Sequence, residues 1–145
     1  MQRILVVDDE PDLVELLSFN LRIAGYDVIS AADGLGALEL AQRLQPDLIL
    51  LDLMLPELDG ISVCEILRGH PATAAIPIIM LTAWSSDLSR QLGLAAGADE
   101  YLTKPFTARD VLGRLKSLLE SAATAAAAGR PRRAAGQSAI TPLGS

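Results

Sequence analysis

The sequence predicts an α/β fold: a five-stranded parallel sheet, strand order 2-1-3-4-5, with helices on both faces in a doubly wound (βα)5 arrangement. Five short apolar segments alternate with five segments whose apolar residues recur at helical spacing. The short segments are apolar on both faces, as strands covered from both sides must be. Strict alternation of strands and helices favours parallel pairing through right-handed crossovers.

Each predicted strand is a run of aliphatic residues bounded by polar or turn-forming residues. The clearest is Leu48-Ile49-Leu50-Leu51, which runs into Asp52 and is followed by the turn signals Pro56 and Asp59-Gly60. A charged side chain is rarely tolerated inside a buried strand, so we place Asp52 at the carboxyl end of this one. The five predicted strands span 3–7, 27–31, 48–52, 78–82 and 100–103.

The predicted helices follow the strands, and several have start or stop signals. Pro11 suits the first turn of the first helix, where its missing N–H is not needed. Thr107 is a candidate N-cap of the fifth helix, and Gly25 and Gly97 are candidate stops of the first and fourth. The apolar residues that mark the five helices are Leu13, Leu16, Leu17 and Leu21, then Ala37, Leu40, Ala41 and Leu44, then Val63, Ile66 and Leu67, then Leu88, Leu92, Ala95 and Ala96, and finally Val111, Leu115 and Leu118.

The chain length of 145 residues indicates one domain, which we place at residues 1–121. Half of the residues are apolar, which is ample for a core. From Ala122 an alanine-rich stretch predicts an extension of the last helix. The remainder to Ser145, which holds Arg, Pro and Gly without apolar periodicity, predicts a disordered tail or a linker.

Charge and cysteine content narrow the function classes. All 18 acidic residues lie within 1–121, and the formal net charge of the chain is −6. A domain this acidic is not expected to bind nucleic acid directly. The single cysteine, Cys64, excludes an internal disulfide and fits a reducing compartment. Without a secretory pattern or an apolar run of membrane-spanning length, we expect a cytoplasmic protein that does not enter a membrane.

Polar side chains stand at the ends of four predicted strands. Asp8 and Asp9 follow the first strand, Asp52 ends the third, Thr82 ends the fourth and Lys104 follows the fifth. Parallel strands bring their carboxyl ends to one edge of the sheet, where α/β proteins bind ligands. We therefore expect these five residues to converge. An Asp-Asp pair alone is as often only a helix cap, so the prediction depends on the whole set.

The three carboxylates predict a magnesium site. Like charges at short range repel, and a hard divalent cation that prefers oxygen ligands relieves the repulsion. Asp9 and Asp52 could ligate Mg²⁺ directly, Asp8 through water, and the main-chain carbonyl of Met54 could complete the set. No His or Cys stands near these positions in the sequence, which argues against zinc.

A carboxylate beside Mg²⁺ can also accept a phosphoryl group, which makes Asp52 a candidate nucleophile. Transfer of a phosphoryl group depends mainly on positioning and on charge neutralisation. The Lys104 ammonium could supply part of that neutralisation, and the Thr82 hydroxyl could hydrogen-bond a phosphoryl oxygen.

Three other function classes share parts of this pattern. A flavodoxin-type cofactor carrier binds phosphate with a Ser/Thr/Gly-rich loop after the first strand, whereas Asp8-Asp9-Glu10 repels phosphate. A phosphatase or mutase with an aspartyl nucleophile resembles Asp-x-Asp, whereas position 54 is Met. An interaction module that has lost phosphorylation stays open, although the intact acidic set disfavours it.

Four motifs resemble those of bacterial two-component response-regulator receiver domains over about residues 1–121. The resemblance implies that Asp52 is phosphorylated by a partner histidine kinase or a phosphotransfer protein. It implies that Asp8, Asp9 and Asp52 hold Mg²⁺. The motifs are Val-Val-Asp8-Asp9-Glu, Leu-Leu-Asp52-Leu-Met-Leu-Pro-x-x-Asp-Gly, Met-Leu-Thr82-Ala and Gly-Ala-Asp-Glu-Tyr101-Leu-Thr-Lys104-Pro105-Phe.

The same resemblance implies how phosphorylation is sensed. Thr82 would sense the phosphoryl group, Lys104 would contact it, and Tyr101 matches the family's aromatic switch residue. The Lys104-Pro105 bond matches a peptide bond that is usually cis in the family. We expect Thr82 to move toward the phosphoryl group and Tyr101 to turn into the vacated space, which would alter the face formed by the fourth helix, fifth strand and fifth helix.

The motif sequences resemble those of the OmpR/PhoB subfamily. Receivers of that subfamily form homodimers by salt bridges through the face of the fourth helix, fifth strand and fifth helix. Arg90, Glu100, Asp110 and Arg114 fall at matching positions, whereas Ala96 stands where an acidic residue is common. The resemblance thus implies either a stand-alone regulator or the receiver half of a truncated OmpR/PhoB-type DNA-binding transcriptional regulator.

Overall fold

The structure is a computed structural model that describes residues 1–127. The tail or linker predicted beyond the last helix therefore lies outside the described residues. The strands are β1 (Arg3–Val7), β2 (Asp27–Ala31), β3 (Leu48–Leu51), β4 (Ile78–Thr82) and β5 (Glu100–Thr103). The helices are α1 (Pro11–Ile23), α2 (Gly34–Leu44), α3 (Gly60–Gly69), α4 (Asp87–Ala95) and α5 (Ala108–Ala127).

The five strands form one parallel sheet in the order β2-β1-β3-β4-β5, which confirms the predicted fold. The register aligns their carboxyl ends, since Val7 pairs with Leu51 and Leu51 pairs with Met80. β3 ends one residue earlier than predicted, so Asp52 directly follows the strand. The chain thus turns out of the sheet at the residue where a charge first appears.

The sheet is buried on both faces, and each face carries its own apolar cluster. One cluster includes Leu5, Ile49 and Met80 and extends to Val63 of α3. The other includes Ile4 and Leu50 and extends to residues of α1 and α5. This alternation explains why the strand segments lack polar positions, because both side-chain rows face packed helices. Cys64 is a buried core residue.

The apolar residues that mark some helices do not all face the core. In α4, Leu88 and Leu92 are 65% and 51% exposed, whereas Gly93 and Ala96 face inward. Leu16 of α1 and Ile66 of α3 are also exposed. Helical spacing predicts that these segments are helices, but it does not decide which side of a short helix meets the sheet. The predicted fourth helix is confirmed, and two of the four residues that marked it, Leu88 and Leu92, are exposed.

Candidate functional site

Three carboxylates lie together at the carboxyl edge of the sheet. Asp8 and Asp9 directly follow β1, and Asp52 directly follows β3. The main chain holds this edge, because the Asp52 N–H donates to the Val7 carbonyl at 3.0 Å and the Asp8 N–H donates to the Ala31 carbonyl at 3.2 Å. One carboxylate oxygen from each aspartate lies within 4.8 Å of the other two.

The three carboxylates differ in exposure and in partners. Asp8 and Asp52 are each only 4% exposed, whereas Asp9 is exposed. The Oδ1 atom of Asp8 accepts from the Glu10 N–H at 2.9 Å, and that of Asp52 accepts from the Met54 N–H at 3.1 Å. Oxygen donors alone, two of them shielded from water, fit a hard cation such as Mg²⁺ and not zinc.

Lys104 lies across the two buried carboxylates. Its Nζ atom is 3.2 Å from the Oδ2 atoms of both Asp8 and Asp52, and 2.9 Å from Oε1 of Glu10. The lysine is placed there by the end of β5, where its N–H donates to the Thr82 carbonyl at 2.7 Å. The Lys104-Pro105 peptide bond is cis, as the family resemblance implied.

Glu10 is a site residue that sequence reasoning did not single out. In the sequence it belongs to the acidic run Asp8-Asp9-Glu10, which disfavours phosphate, and to the first family motif. The sequence feature that could have identified Glu10 is its position two residues after Asp8, where the chain turns into α1. Its ion pair with Lys104 gives the lysine a third carboxylate partner.

The pKa shifts follow from this arrangement. Burial raises the pKa of Asp8, and the charge of Asp52 raises it further, against the Glu10 N–H and Lys104, which lower it. Burial lowers the pKa of Lys104, but the hydrogen bond with Glu10 and the charges of Asp52 and Asp8 outweigh it and raise that pKa above its ordinary value. The site therefore holds a firmly charged ammonium and still favours further positive charge near Asp8.

Thr82 and Tyr101 lie on the neighbouring strands β4 and β5. Thr82 ends β4 with no exposed surface, and its Oγ1 accepts from the Trp84 N–H at 3.3 Å. Tyr101 of β5 is 3% exposed, and its phenol donates to the Trp84 carbonyl at 2.7 Å. The ring of Tyr101 therefore lies in the interior of the domain in this structure.

Gly60 allows α3 to begin close to the site. Asp59 caps this helix, because its carboxylate accepts from the Ser62 N–H at 2.9 Å. The Gly60 N–H donates to the Leu53 carbonyl at 2.9 Å, and a Cβ at Gly60 would overlap the carbonyl oxygen of Asp52. The sequence indicated only a turn at Asp59-Gly60, whereas the structure shows a close approach that supports the Asp52 segment.

The four residues expected on a dimer face have partners within the chain. Arg114 Nη1 lies 2.6 Å from Glu100 Oε1. Arg90 Nη1 donates to the Tyr101 carbonyl at 3.2 Å, and its guanidinium carbon lies 5.1 Å from the ring centroid. Asp110 accepts from the Thr107 N–H at 3.3 Å and donates its own N–H to the Thr107 hydroxyl at 3.0 Å, which confirms the predicted cap.

Ala96 does not belong to this exposed face. The sequence comparison placed Ala96 where an acidic residue is common, but its side chain is buried in the apolar cluster. The exposed alanine of this helix end is Ala95. The absence of an acid at position 96 therefore removes no charge from the surface of α4.

These features define a class of protein: a doubly wound, flavodoxin-like α/β domain that carries carboxylates, a threonine and a lysine at its carboxyl sheet edge instead of a phosphate-binding loop. The family model described as "Response regulator receiver domain" matches residues 4–116. The chain therefore belongs to the receiver-domain family of two-component response regulators.

The chain is similar to two curated transcriptional regulators. It is 51% identical over 119 residues to the DNA-binding dual master transcriptional regulator RpaA of Synechocystis sp., covering 82% of this chain and 49% of that protein. It is 51% identical over 125 residues to the alkaline phosphatase synthesis transcriptional regulatory protein PhoP of Bacillus subtilis, covering 86% of this chain and 51% of that protein. The chain thus spans about half the length of the curated relatives it matches.

A solved structure supports the fold. The receiver domain of a sensor histidine kinase from Pseudomonas aeruginosa, crystallised with a magnesium ion coordinated in its active-site cleft, superposes with a TM-score of 0.78 at 38% identity. The match covers 83% of this chain and 98% of that one. Within residues 1–127, no helix is long and apolar enough to cross a membrane.

Proposed function

We propose that this chain accepts a phosphoryl group on Asp52 from a histidine kinase or a phosphotransfer protein. The observation that carries the proposal is the position of Asp52, a buried carboxylate at the sheet edge that shares the ammonium of Lys104 with Asp8. A buried carboxylate with a purely structural role is neutralised when it pairs with one cation of its own. This one shares its cation with a second buried carboxylate, an arrangement suited to an incoming ligand.

The transfer step is an in-line displacement at phosphorus. A carboxylate oxygen of Asp52 attacks the phosphorus of a phosphohistidine, the P–O bond forms, and the P–N bond breaks with its electron pair left on the imidazole nitrogen. The family's Mg²⁺, held by Asp8, Asp9, Asp52 and the Met54 carbonyl, would neutralise charge on the phosphoryl oxygens when bound. Lys104 shields a second side of that charge.

Dephosphorylation closes the cycle on the same residues. Water attacks the phosphorus, the bond to the Asp52 oxygen breaks, and inorganic phosphate leaves with the carboxylate regenerated. The chain thus catalyses only the making and breaking of its own acyl phosphate and turns over no external substrate. Thr82, at the end of β4, is the hydroxyl proposed to bind a phosphoryl oxygen.

The signal is proposed to leave the domain through α4, β5 and α5. A phosphoryl group adds about −1.5 to −2 charge at Asp52, which draws Thr82 and favours the buried position of Tyr101. The partner that binds the altered face is a second copy of the chain. It docks through the face that holds Arg90, Glu100, Asp110 and Arg114. Because exposed ion pairs contribute about 0–1 kcal/mol each, apolar contacts must provide most of the affinity.

The curated relatives suggest the larger setting. Both are transcriptional regulators, the matched residues span about half the length of each, and RpaA is described as DNA-binding. We therefore carry as an alternative that this chain is the receiver half of such a regulator, with residues 1–121 as the receiver and 122–145 as a helix extension and linker. Either form acts in the cytoplasm, and this segment does not itself bind nucleic acid.

The assignment is tested by phosphoryl uptake from acetyl phosphate or a phosphorylated kinase in the presence of Mg²⁺. Intact mass should rise by one phosphoryl group in the wild-type chain and in the surface variant Asp87→Asn, and the group should be released by hydroxylamine. Asp52→Ala should show no uptake. If Asp52→Ala still takes up one hydroxylamine-labile phosphoryl group, Asp52 is not the acceptor.

A further inference from the structure

A glycine inside α4 lies against the ring of Tyr101. Gly93 is the seventh residue of this helix, an interior position where glycine is less favourable than alanine. A Cβ built at Gly93 would lie 2.9 Å from Cδ2 and 3.0 Å from Cε2 of Tyr101, and 2.9 Å from the sulfur of Met80. These distances are shorter than van der Waals contact, so a methyl group here would require its neighbours to move.

Two further contacts enclose the same ring from other sides. The Tyr101 phenol donates to the Trp84 carbonyl at 2.7 Å, which fixes the tip of the side chain. The Arg90 guanidinium lies over the ring face, 5.1 Å from its centroid, and is attracted to the negative face of the ring. Gly93 at one edge, Arg90 over the face and Trp84 at the tip therefore form a seat, which we name the Tyr101 seat.

We propose that Gly93 sets the buried position of Tyr101, because the missing side chain at Gly93 leaves the space that the ring occupies. Gly93 is a positioning residue, because it acts only through the space it leaves for the ring. The meaning of the ring position as a signal rests on the proposed function. The contacts that form the seat do not depend on that function.

The proposal follows from what can give way. The Met80 sulfur is the end of a flexible side chain and can shift within the core. The edge of an aromatic ring cannot bend, so relief requires the whole Tyr101 side chain to rotate out of the seat. In a two-state equilibrium, removing contacts from one state shifts the population to the other, and Gly93→Ala should shift it outward.

The chain offers a clean probe and a matched control. It has two tyrosines, Tyr101 and Tyr26, so 3-fluorotyrosine labelling gives two fluorine resonances. Tyr101→Phe assigns them, and Tyr26 is the internal reference. Gly113→Ala is the control, because a Cβ at Gly113 in α5 would meet nothing within 4 Å.

The measurement is the H₂O/D₂O isotope shift of the Tyr101 fluorine in unphosphorylated protein. We expect a small shift for the wild-type chain and for Gly113→Ala, which marks a buried ring, and loss of that protection in Gly93→Ala. A Tyr101 fluorine equally protected in Gly93→Ala would overturn the proposal, because the helix and not the ring would then have moved.

A double-mutant cycle covers the case in which Gly93→Ala is too unstable for spectroscopy. If the added methyl conflicts with the ring, Gly93→Ala should lower the denaturation midpoint in the wild-type background and have no such effect beside Tyr101→Leu. Equal losses in both backgrounds would overturn the proposal. Phosphoryl uptake by Asp52 is scored separately in the same proteins, so failure of the seat and failure of the acceptor assignment give different results.

Discussion

The Nζ atom of Lys104 lies 3.2 Å from the Oδ2 atom of Asp52 and the same distance from Oδ2 of Asp8. Two carboxylates that are almost fully buried thus share the ammonium of Lys104, which directly follows the edge strand β5. Because β1, β3 and β5 each end at this point, the formed sheet brings the charge cluster together. The cluster should therefore report on both stability and ligand binding.

Replacing Lys104 with Met should destabilise the chain in the absence of divalent cations. Asp8 and Asp52 would keep their burial and lose their shared cation, a change that costs about 1–3 kcal/mol. Urea denaturation at neutral pH gives the free energy of unfolding, and Mg²⁺ should restore part of the loss because it replaces the missing charge. Lys116→Met, at an exposed position of α5, is the control. Equal stability of the two variants without Mg²⁺ would contradict this account.

Removal of Asp9 should abolish the metal response and leave the fold intact. Asp9 is exposed and belongs to the acidic cluster, so its loss removes a ligand and not a core contact. For the wild-type chain, Mg²⁺ at 100 times its dissociation constant should raise the free energy of unfolding by about 2.7 kcal/mol. Asp9→Ala should show the wild-type unfolding curve without Mg²⁺ and no shift with it.

The metal assignment is wrong if Mg²⁺ raises the free energy of unfolding of Asp9→Ala as much as that of the wild-type chain. Phosphoryl uptake from acetyl phosphate is a second readout, and it should be lost in the same variant. Asp12→Asn, an exposed acid in the first turn of α1, serves as the matched control because it changes the local charge without touching the cluster.

The sheet and the cluster were predictable because each strand is an apolar run that is bounded by polar residues. Runs such as Ile4-Leu5-Val6-Val7 are apolar on both faces and end where the first carboxylate appears, so strand ends and site residues come from one signal. The bounds predicted for β1, β2, β4 and β5 match the structure, and β3 differs by one residue.

The parts that sequence reasoning missed depend on close approach in three dimensions. Gly60 and Gly93 have no side chain to signal their neighbours, yet each lies where a Cβ would collide with Asp52 or Tyr101. The ion pair of Glu10 with Lys104 joins residues far apart in the sequence. Periodicity predicted α4 correctly but did not show which of its residues face inward, because Leu92 fits helical spacing whether it is buried or exposed.

Replacing Tyr101 with Phe should remove one buried hydrogen bond. It should also remove a phenol whose pKa is raised above its ordinary value. Loss of the bond to the Trp84 carbonyl costs about 1 kcal/mol, measured by urea denaturation. Burial raises the pKa of the Tyr101 phenol above its ordinary value of 10.0. The unfolded chain therefore loses this proton first, and the stabilising contribution is complete below pH 10.0 and is lost as the pH rises through the folded-state pKa.

The stability advantage of the wild-type chain over Tyr101→Phe should accordingly shrink above pH 10.0. Tyrosinate absorbance during a pH titration of the folded proteins gives the second readout, and the later of the ionisations should be absent from the variant. A pH-independent difference between the two proteins would mean that the phenol is not shielded from water.

Replacing Leu92 with Ser should leave the fold unaffected and weaken self-association of the phosphorylated chain. Leu92 is 51% exposed on α4, so its loss should change the free energy of unfolding by no more than about 0.5 kcal/mol. Leu115 has no exposed surface, and Leu115→Ala should cost about 2–5 kcal/mol, which provides the scale. Analytical ultracentrifugation, with and without acetyl phosphate and Mg²⁺, measures the monomer–dimer equilibrium of each variant.

The comparison separates the two roles that an apolar residue of α4 can have. If the exposed leucines of α4 dock a second copy, Leu92→Ser should dissociate more readily than the wild-type chain after phosphorylation and should unfold at the same urea concentration. The charge variant Arg114→Ala should have a smaller effect, because Arg114 already pairs with Glu100 within the chain and exposed ion pairs are weak. A dimer that tolerates Leu92→Ser but not Arg114→Ala would show instead that charge and not apolar contact holds this face together.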